Sequence, residues 1–376
     1  MKPQKWAMGL TALGGALVAL GMVLSPRAAL GSVLTAGYWL TCMALFGVFF
    51  VSVQYASGAS WSVAFRRVPE AMASTLPAGA VMIAAVLAFA PLLYPWVHEH
   101  GHFDGFKRIW LDLPFFLVRA TIFLLLWWLF ARLIVRCSRL QDATREPGLT
   151  SRVTRLSVGF LVIFAITFSL ASFDWVMSLE PHWYSTIFAI YNFAGMFSSG
   201  LAALILLLVW LRRTGPLRDF VNAEHFHDLG KLLFGFTTFW MYIWFSQYML
   251  IWYANITEES VYYIQRTQRY WGPLFLLNVI LNWIFPFLAL MPKRVKRTPH
   301  LLARVAAVVV IGRWLDLYLM IKPATGVANP GLTPWDIGAI LASTTIFLYL
   351  FQRAYRQAGP VPLADPRLEE SLSYHN

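Results

Sequence analysis

The sequence predicts an all-α integral membrane protein, and two features indicate it. The chain has 376 residues, of which 59% are hydrophobic and only 13% charged, whereas soluble globular domains carry about 25% charged residues. The apolar residues also fall in blocks of about 20, the length at which a helix crosses a bilayer. We therefore expect residues 1–376 to form a single polytopic membrane domain.

The apolar blocks predict ten transmembrane helices. Pro and Gly lie at joints between blocks, as at Gly215-Pro216 and Met291-Pro292, where such residues end a helix. The blocks are largely uninterrupted, and no loop is long enough to fold as a separate domain. The predicted spans are residues 7–25, 30–54, 76–96, 113–135, 153–178, 185–211, 231–254, 271–291, 301–321 and 334–352.

Lys and Arg residues concentrate on one side of the predicted spans. Twenty lie on the side of the N-terminus and six on the other side, and cytoplasmic loops carry the excess of basic residues in membrane proteins. We therefore predict that both termini are cytoplasmic, with residues 353–376 as a cytoplasmic tail. The net charge of +12 does not indicate a nucleic-acid partner, since the basic residues flank apolar blocks and form no continuous patch.

Histidine and cysteine positions predict that the chain holds no redox centre of its own. None of its eight histidines lies inside a predicted span, where a membrane cytochrome b places its axial ligands. Cys42 and Cys137 are too few for a four-cysteine cluster. His98, His100 and His102 form a loop cluster that we expect to be solvated. We assign no metal site, and metal binding by this loop is left open.

A few charged residues lie inside the predicted spans, where burial of a charge costs at least about 2.5–3.5 kcal/mol. They are Arg119, Asp174, Arg313 and Asp316. A rise of about 1.5 Å per residue places them mostly in the half of the membrane opposite the cytoplasm. Arg313 and Asp316 are three residues apart and could neutralise each other, and Arg119 could pair with Asp174 or Asp316.

These charged residues have two open interpretations. They could pin the helices together, or they could form a proton path, because ionisable groups leading to one membrane face are what a proton relay requires. A histidine at the exit would suit proton transfer near neutral pH. The candidate path residues are Asp174, Glu180, His182, Arg119, Arg313, Asp316 and Glu258.

Amide side chains in the seventh and eighth spans also have two interpretations. Gln247 lies in the seventh span, and Asn278 and Asn282 are four residues apart in the eighth. Hydrogen bonds between helices are their ordinary role in membranes. A quinone-binding role for Gln247 and Asn278 is left open.

Two segments carry a family resemblance. Residues 172–186 read SFDWVMSLEPHWYST, and residues 245–256 read FSQYMLIWYANI and are followed by Glu258 and Glu259. The chain resembles the ActF subunits of alternative complex III, a bacterial quinol:cytochrome c oxidoreductase, within the NrfD/PsrC-like membrane family. Thr257 departs from the family pattern, in which Pro is expected.

The resemblance implies an architecture and a set of partners. It implies two four-helix bundles, spans 2–5 and 6–9, flanked by spans 1 and 10. The implied partners are the paralogous NrfD-like ActC subunit, an iron–sulfur protein, c-type cytochromes, the quinol pool of the lipid bilayer and a terminal cytochrome c oxidase. Haem c and the iron–sulfur clusters would belong to partner subunits, with quinone as the one cofactor this chain could contact. Protons would pass near Asp174, Glu180 and His182.

The predicted function is that of a membrane subunit, without its own redox centre, of a respiratory quinol:cytochrome c oxidoreductase in the bacterial inner membrane. It would provide a proton path and a quinone contact. Two alternatives stay open. A proton-coupled secondary transporter should have broken helices and a substrate site near the midplane. A purely structural membrane anchor would hold the redox partners without moving protons.

Overall fold

Helices joined by loops and turns, with no strand, make up the part of the protein described by the computed structural model, which covers residues 3–99, 103–146 and 148–374. Eight helical segments of this part are long and apolar enough to cross a membrane, as expected of a multi-pass α-helical membrane protein. The helices are α1 (Pro3–Leu24), α2 (Pro26–Ala56), α3 (Arg67–Ala73), α4 (Leu76–Ala88), α5 (Ala90–Leu93), α6 (Gly105–Trp110), α7 (Leu113–Thr144), α8 (Gly148–Trp175), α9 (Phe188–Thr214), α10 (Ala223–Ala254), α11 (Thr257–Thr267), α12 (Trp271–Val279), α13 (Phe285–Leu290), α14 (Lys293–Arg297), α15 (Pro299–Ile321), α16 (Pro334–Arg356) and α17 (Leu368–Leu372).

The predicted spans 231–254 and 301–321 lie in α10 and α15. These helices have 32 and 23 residues, enough to cross about 30 Å of hydrocarbon. They are not among the eight apolar segments, because α10 is rich in Trp and Tyr and α15 contains charged residues. The total of ten spans therefore stays a prediction.

Two predicted spans are interrupted, so the expectation of largely uninterrupted helices needs correction. Span 76–96 follows a short joint after α3, breaks at Phe89 and ends as α5 at Leu93. Pro91 explains the break, since it has no N–H to donate to the preceding turn. In span 271–291 a π-helical turn, Ile280–Ile284, separates α12 from α13. Such turns occur frequently at functional sites.

Several helices extend beyond the predicted span ends. α7 continues to Thr144 where span 113–135 was predicted, and α8 begins at Gly148 where the span was predicted to begin at 153. Hydropathy marks where the side chains stop being apolar. Backbone hydrogen bonding continues through the polar turns beyond that point, so the helix extends past the end of the apolar block.

Helix packing centres on α2, which is buried along most of its length. α2 contacts α4, α8, α9 and α16, α7 packs on α8, and α9 packs on α10 and α15. α1 and α16 pack against each other at the side of α2. We call the helix ends at residues 56, 144, 214 and 356 the inner end, and the opposite ends the outer end.

The tail after α16 folds onto the inner end. Asp365 forms an ion pair with Arg66 before α3, and Ser371 accepts a hydrogen bond from Ala64 N at 2.9 Å. Tyr374 donates its hydroxyl to Asp228 near the start of α10 at 2.5 Å. The tail therefore joins helices from both halves of the chain at this end.

Candidate functional site

Asp174, in the last turn of α8, pairs with Arg119 on α7. Arg119 donates from Nε and Nη2 to the two carboxylate oxygens at 3.0 and 3.1 Å, and Trp110 Nε1 donates to the same carboxylate at 2.9 Å. Both charged side chains are buried. Of the two partners considered for Arg119, the structure gives it Asp174. We call Asp174, Arg119 and Trp110 the Asp174 cluster.

A largely apolar pocket of about 770 Å³ lies beside Asp174. Leu170, Phe173 and Trp183 are among its lining residues, with Asp174 as a charged one. The buried Trp183 Nε1, on a lining residue, has no hydrogen-bond acceptor among the described residues. Ligand pockets have this composition, in which apolar walls hold the ligand and a few polar groups orient it.

Asp316, on α15, is the centre of a second buried cluster. Arg313 Nη1 donates to its carboxylate at 2.5 Å, Asn278 Nδ2 at 3.0 Å and Trp240 Nε1 at 3.3 Å, and the Tyr191 hydroxyl also donates to it. Four donors from four helices satisfy this carboxylate, as a buried ionised group requires. We call these five residues the Asp316 cluster.

Two glycines make room for the Asp316 cluster. A Cβ atom on Gly195 would overlap the Arg313 guanidinium, and one on Gly312 would lie 2.9 Å from the Asn282 side chain. Asn282 lies in the π-helical turn and donates to the Asn278 side-chain oxygen at 2.7 Å. The absence of side chains at these two positions therefore allows the polar groups to approach one another inside the packed helices.

Glu180 and Arg266 form an ion pair at the outer end, 2.9 Å apart. Arg266, on α11, also donates to the carbonyl oxygens of Tyr262, Leu319 and Met320 at 2.8–2.9 Å. Burial opposes the charge of Arg266, but the Glu180 carboxylate outweighs it and raises the pKa of the guanidinium above its ordinary value. Arg266 therefore ties the loop after α8 to the end of α15.

A small cavity lies between the Asp316 cluster and Arg266. Its volume is about 20 Å³, which is room for one water molecule. Its lining includes Tyr191, Gln247, Tyr263, Arg266 and Asp316. Gln247 donates to the Tyr263 hydroxyl at 3.0 Å. The cavity thus places hydrogen-bonding groups along the route from the buried carboxylate to the outer ion pair.

The seven predicted path residues do not form one cluster. Asp174 and Arg119 belong to the first cluster, Arg313 and Asp316 to the second, and Glu180 to the ion pair with Arg266. The Ser178 hydroxyl donates to the main-chain carbonyl of Asp174 and not to its carboxylate.

The two remaining path residues are more exposed. His182 lies 3.4 Å from Glu99, and 71% of its side-chain surface is exposed. Glu258 is exposed in the first turn of α11. Within the described ranges, no hydrogen bond or ion pair joins Glu258 to either cluster.

The predicted quinone-contact residues line the small cavity. Gln247 and Asn278 both border it, and about 20 Å³ is far below the 300–1,000 Å³ of ordinary ligand pockets. The larger apolar space lies instead beside Asp174. A quinone contact by Gln247 and Asn278 stays a prediction.

Some buried polar partners were missed from the sequence. Arg266 and Lys322 were assigned only as outer-side basic residues, yet both are buried. Lys322 Nζ lies 2.7 Å from Asp336 and 3.0 Å from Ser32 Oγ, and burial lowers its pKa although Asp336 opposes the shift. No periodic pattern marks these pairs, since their partners are distant in sequence.

No group of three or more His, Cys, Asp and Glu side chains that could hold a metal ion occurs within residues 3–99, 103–146 and 148–374. His100 and His102 of the predicted loop cluster lie outside the described residues, and His98 contacts the Pro91 carbonyl at 2.8 Å.

In comparisons with known proteins, the chain matches no protein-family model and no curated protein. The family resemblance therefore remains a prediction.

Proposed function

We propose that the chain is a membrane subunit of a respiratory quinol:cytochrome c oxidoreductase and provides the outer half of a proton path. The observation that carries the path is the cavity for one water between Asp316 and Arg266. In this proposal the ten spans form two four-helix bundles with flanking first and last spans. The protein lies in the bacterial inner membrane with both termini in the cytoplasm.

The proposed proton route starts at Asp316. Four hydrogen-bond donors from four helices surround its carboxylate, which is the group that takes up the proton in this proposal. The proton passes from the Asp316 carboxyl to a water in the cavity and leaves toward Glu180 at the outer end, which lies beyond Arg266 and does not itself line the cavity. Arg266 stays charged and acts as a positioning residue that holds Glu180. Hydrogen bonds from Gln247 and Tyr263 would orient the water.

A quinone contact beside Asp174 is the second proposed role. The pocket of about 770 Å³ is large enough for a ligand of this size, and the N–H group of Trp183, which has no acceptor among the described residues, suits a carbonyl oxygen of a quinone. The redox groups of such a complex, haem c and iron–sulfur clusters, would lie in partner subunits.

The cavity size favours proton transfer over transport of a larger substrate. A secondary transporter needs a midplane site between broken helices, and the π-helical turn beside Asn278 is such an interruption. The polar cavity beside Asn278 holds only one water, and the larger pocket of about 420 Å³ that Leu281 borders is lined mainly by apolar residues. A structural anchor would use the same ion pairs without moving protons. Only an experiment that measures proton release can therefore distinguish the anchor from the proton path.

The test measures protons released per electron in vesicles containing the purified complex, with subunit content checked for each variant. Asp316→Asn removes the proton site and should lower the ratio. Asp336→Asn is the matched control, because Asp336 is also buried and paired with a basic residue but lies outside the route. A normal ratio in the assembled Asp316→Asn complex would leave the anchor interpretation. An equal fall in both variants would also contradict the path.

A further inference from the structure

A second pocket lies at the inner end of the helices and is unrelated to the proposed proton route. Its volume is about 670 Å³, and it lies between the joint of α3 and α4, the last turns of α7, and the residue that follows α16. Arg132, Arg136 and Arg139 line it. They are four and three residues apart on α7, so they lie on one face of the helix.

These three arginines have no carboxylate partner among the described residues. The neighbouring Arg67 is neutralised by Glu70 and Asp142, and Arg66 by Asp365. Arg139 donates only to the Ala354 carbonyl at 3.1 Å, and its buried Nε has no acceptor in the described part of the chain. The inner end thus has three guanidinium groups that form no ion pair within the described part of the chain, and the Glu70 carboxylate acts on Arg139 only from a distance.

Apart from Ser74 and Gln357, the rest of the pocket is apolar, and it lies where the apolar block of α7 ends. Trp128, Ala131 and Val135 line it from α7, and Pro77 lines it from α4. The apolar block of α7 ends near residue 135. Arg132 therefore stands close to the hydrocarbon edge, and Arg139 about 10 Å farther along the helix axis. An occupant must place negative charge beside the arginines and hydrocarbon beside Trp128.

We propose that this pocket binds the head group of an anionic phospholipid. Arginine forks bind phosphate oxygens in pairs, and basic pockets between transmembrane helices on the cytoplasmic side recognise anionic lipids. A zwitterionic phospholipid carries an ammonium group that the three arginines would repel. The site depends only on the chain spanning a membrane, so it stands or falls independently of the respiratory role.

The experiment titrates the purified full-length chain with cardiolipin, phosphatidylglycerol and phosphatidylethanolamine of matched acyl chains, and counts bound lipids by native mass spectrometry. Wild type should prefer the two anionic lipids. Arg132→Gln with Arg136→Gln should weaken anionic-lipid binding about thirtyfold, on the contribution of each basic side chain at a membrane surface. Arg152→Gln with Arg155→Gln, which removes two charges near the same end of α8, should leave the affinity unchanged.

Several outcomes would overturn the proposal. Equal loss in both double variants would mean that any basic residue at this end attracts lipid. An unchanged affinity in Arg132→Gln with Arg136→Gln, or equal binding of phosphatidylethanolamine to wild type, would exclude the site. Inorganic phosphate that stays bound and is not displaced by either anionic lipid would show that the arginines bind free phosphate and not lipid. If the double variant does not purify, Arg136→Gln alone serves, since this side chain is exposed.

Discussion

Arg313 and Asp316 lie one turn apart on α15, and the guanidinium donates to the carboxylate at 2.5 Å with both side chains buried. Both members of the pair have further hydrogen-bond partners on other helices. Asp316 also accepts from Tyr191, Trp240 and Asn278, and Arg313 also donates to Asn192 at 3.3 Å. A carboxylate held by groups from several helices links helix packing to the state of one ionisable site.

Gly195→Ala should destabilise the protein by about 1–3 kcal/mol, the usual cost of overpacking. The added methyl group would overlap the Arg313 guanidinium and displace it from Asp316. The measurement is the apparent Tm of the purified chain in detergent. Gly159→Ala is the control, because its Cβ would lie 3.6 Å from Phe130, an ordinary contact. Equal Tm values for the two variants would contradict the packing account.

Arg266→Gln should lower the apparent Tm strongly, with a cost of about 3 kcal/mol or more, since it leaves Glu180 and three carbonyl oxygens without their donor. Arg269→Gln removes an exposed arginine from the same loop and should have little effect. If Arg266→Gln is as stable as Arg269→Gln, the ion pair does not hold the outer loop in place.

Glu180→Gln should lower the number of protons released per electron in vesicles, because Glu180 is the proposed outer acceptor. Glu258→Gln should leave the ratio normal, since Glu258 is exposed and joined to neither cluster within the described residues. The structure thus separates two glutamates that the sequence treats alike. A lower ratio in Glu258→Gln with a normal ratio in Glu180→Gln would reverse the assignment.

Asp174→Asn should weaken binding of a quinone analogue, measured through quenching of tryptophan fluorescence, because it removes a charged group that lines the pocket and breaks its ion pair with Arg119. A tenfold loss corresponds to about 1.4 kcal/mol. Ser169→Ala is the control, because Ser169 is half-buried on the same helix and its hydroxyl donates to the Ala165 carbonyl of that helix. Binding that survives Asp174→Asn unchanged would place the quinone contact elsewhere.

Reporter fusions should place the C-terminus in the cytoplasm and an insertion after Phe103 on the opposite side. The prediction follows from the basic residues, twenty on one side and six on the other. Phe103 lies in the loop between α5 and α6. Reporters on the same side would contradict either the number of spans or the orientation.

The apolar blocks determined the helical membrane character of the chain, because a run of about 20 apolar residues has few other stable states. The same blocks did not reveal the break at Phe89 or the π-helical turn at Ile280–Ile284. Hydropathy averages over a window, whereas one proline or one altered hydrogen bond changes the helix locally.

The sequence by itself identified Arg119, Asp174, Arg313 and Asp316 as costly charges that need partners. Only the tertiary structure decided that Arg119 meets Asp174, and that Arg266 in a loop is buried against Glu180. The cost of burying a charge depends on one residue and its depth in the membrane, so it can be predicted from the position of that residue within an apolar block. Pairing depends on the rotation and neighbours of several helices, which are fixed when the helices pack.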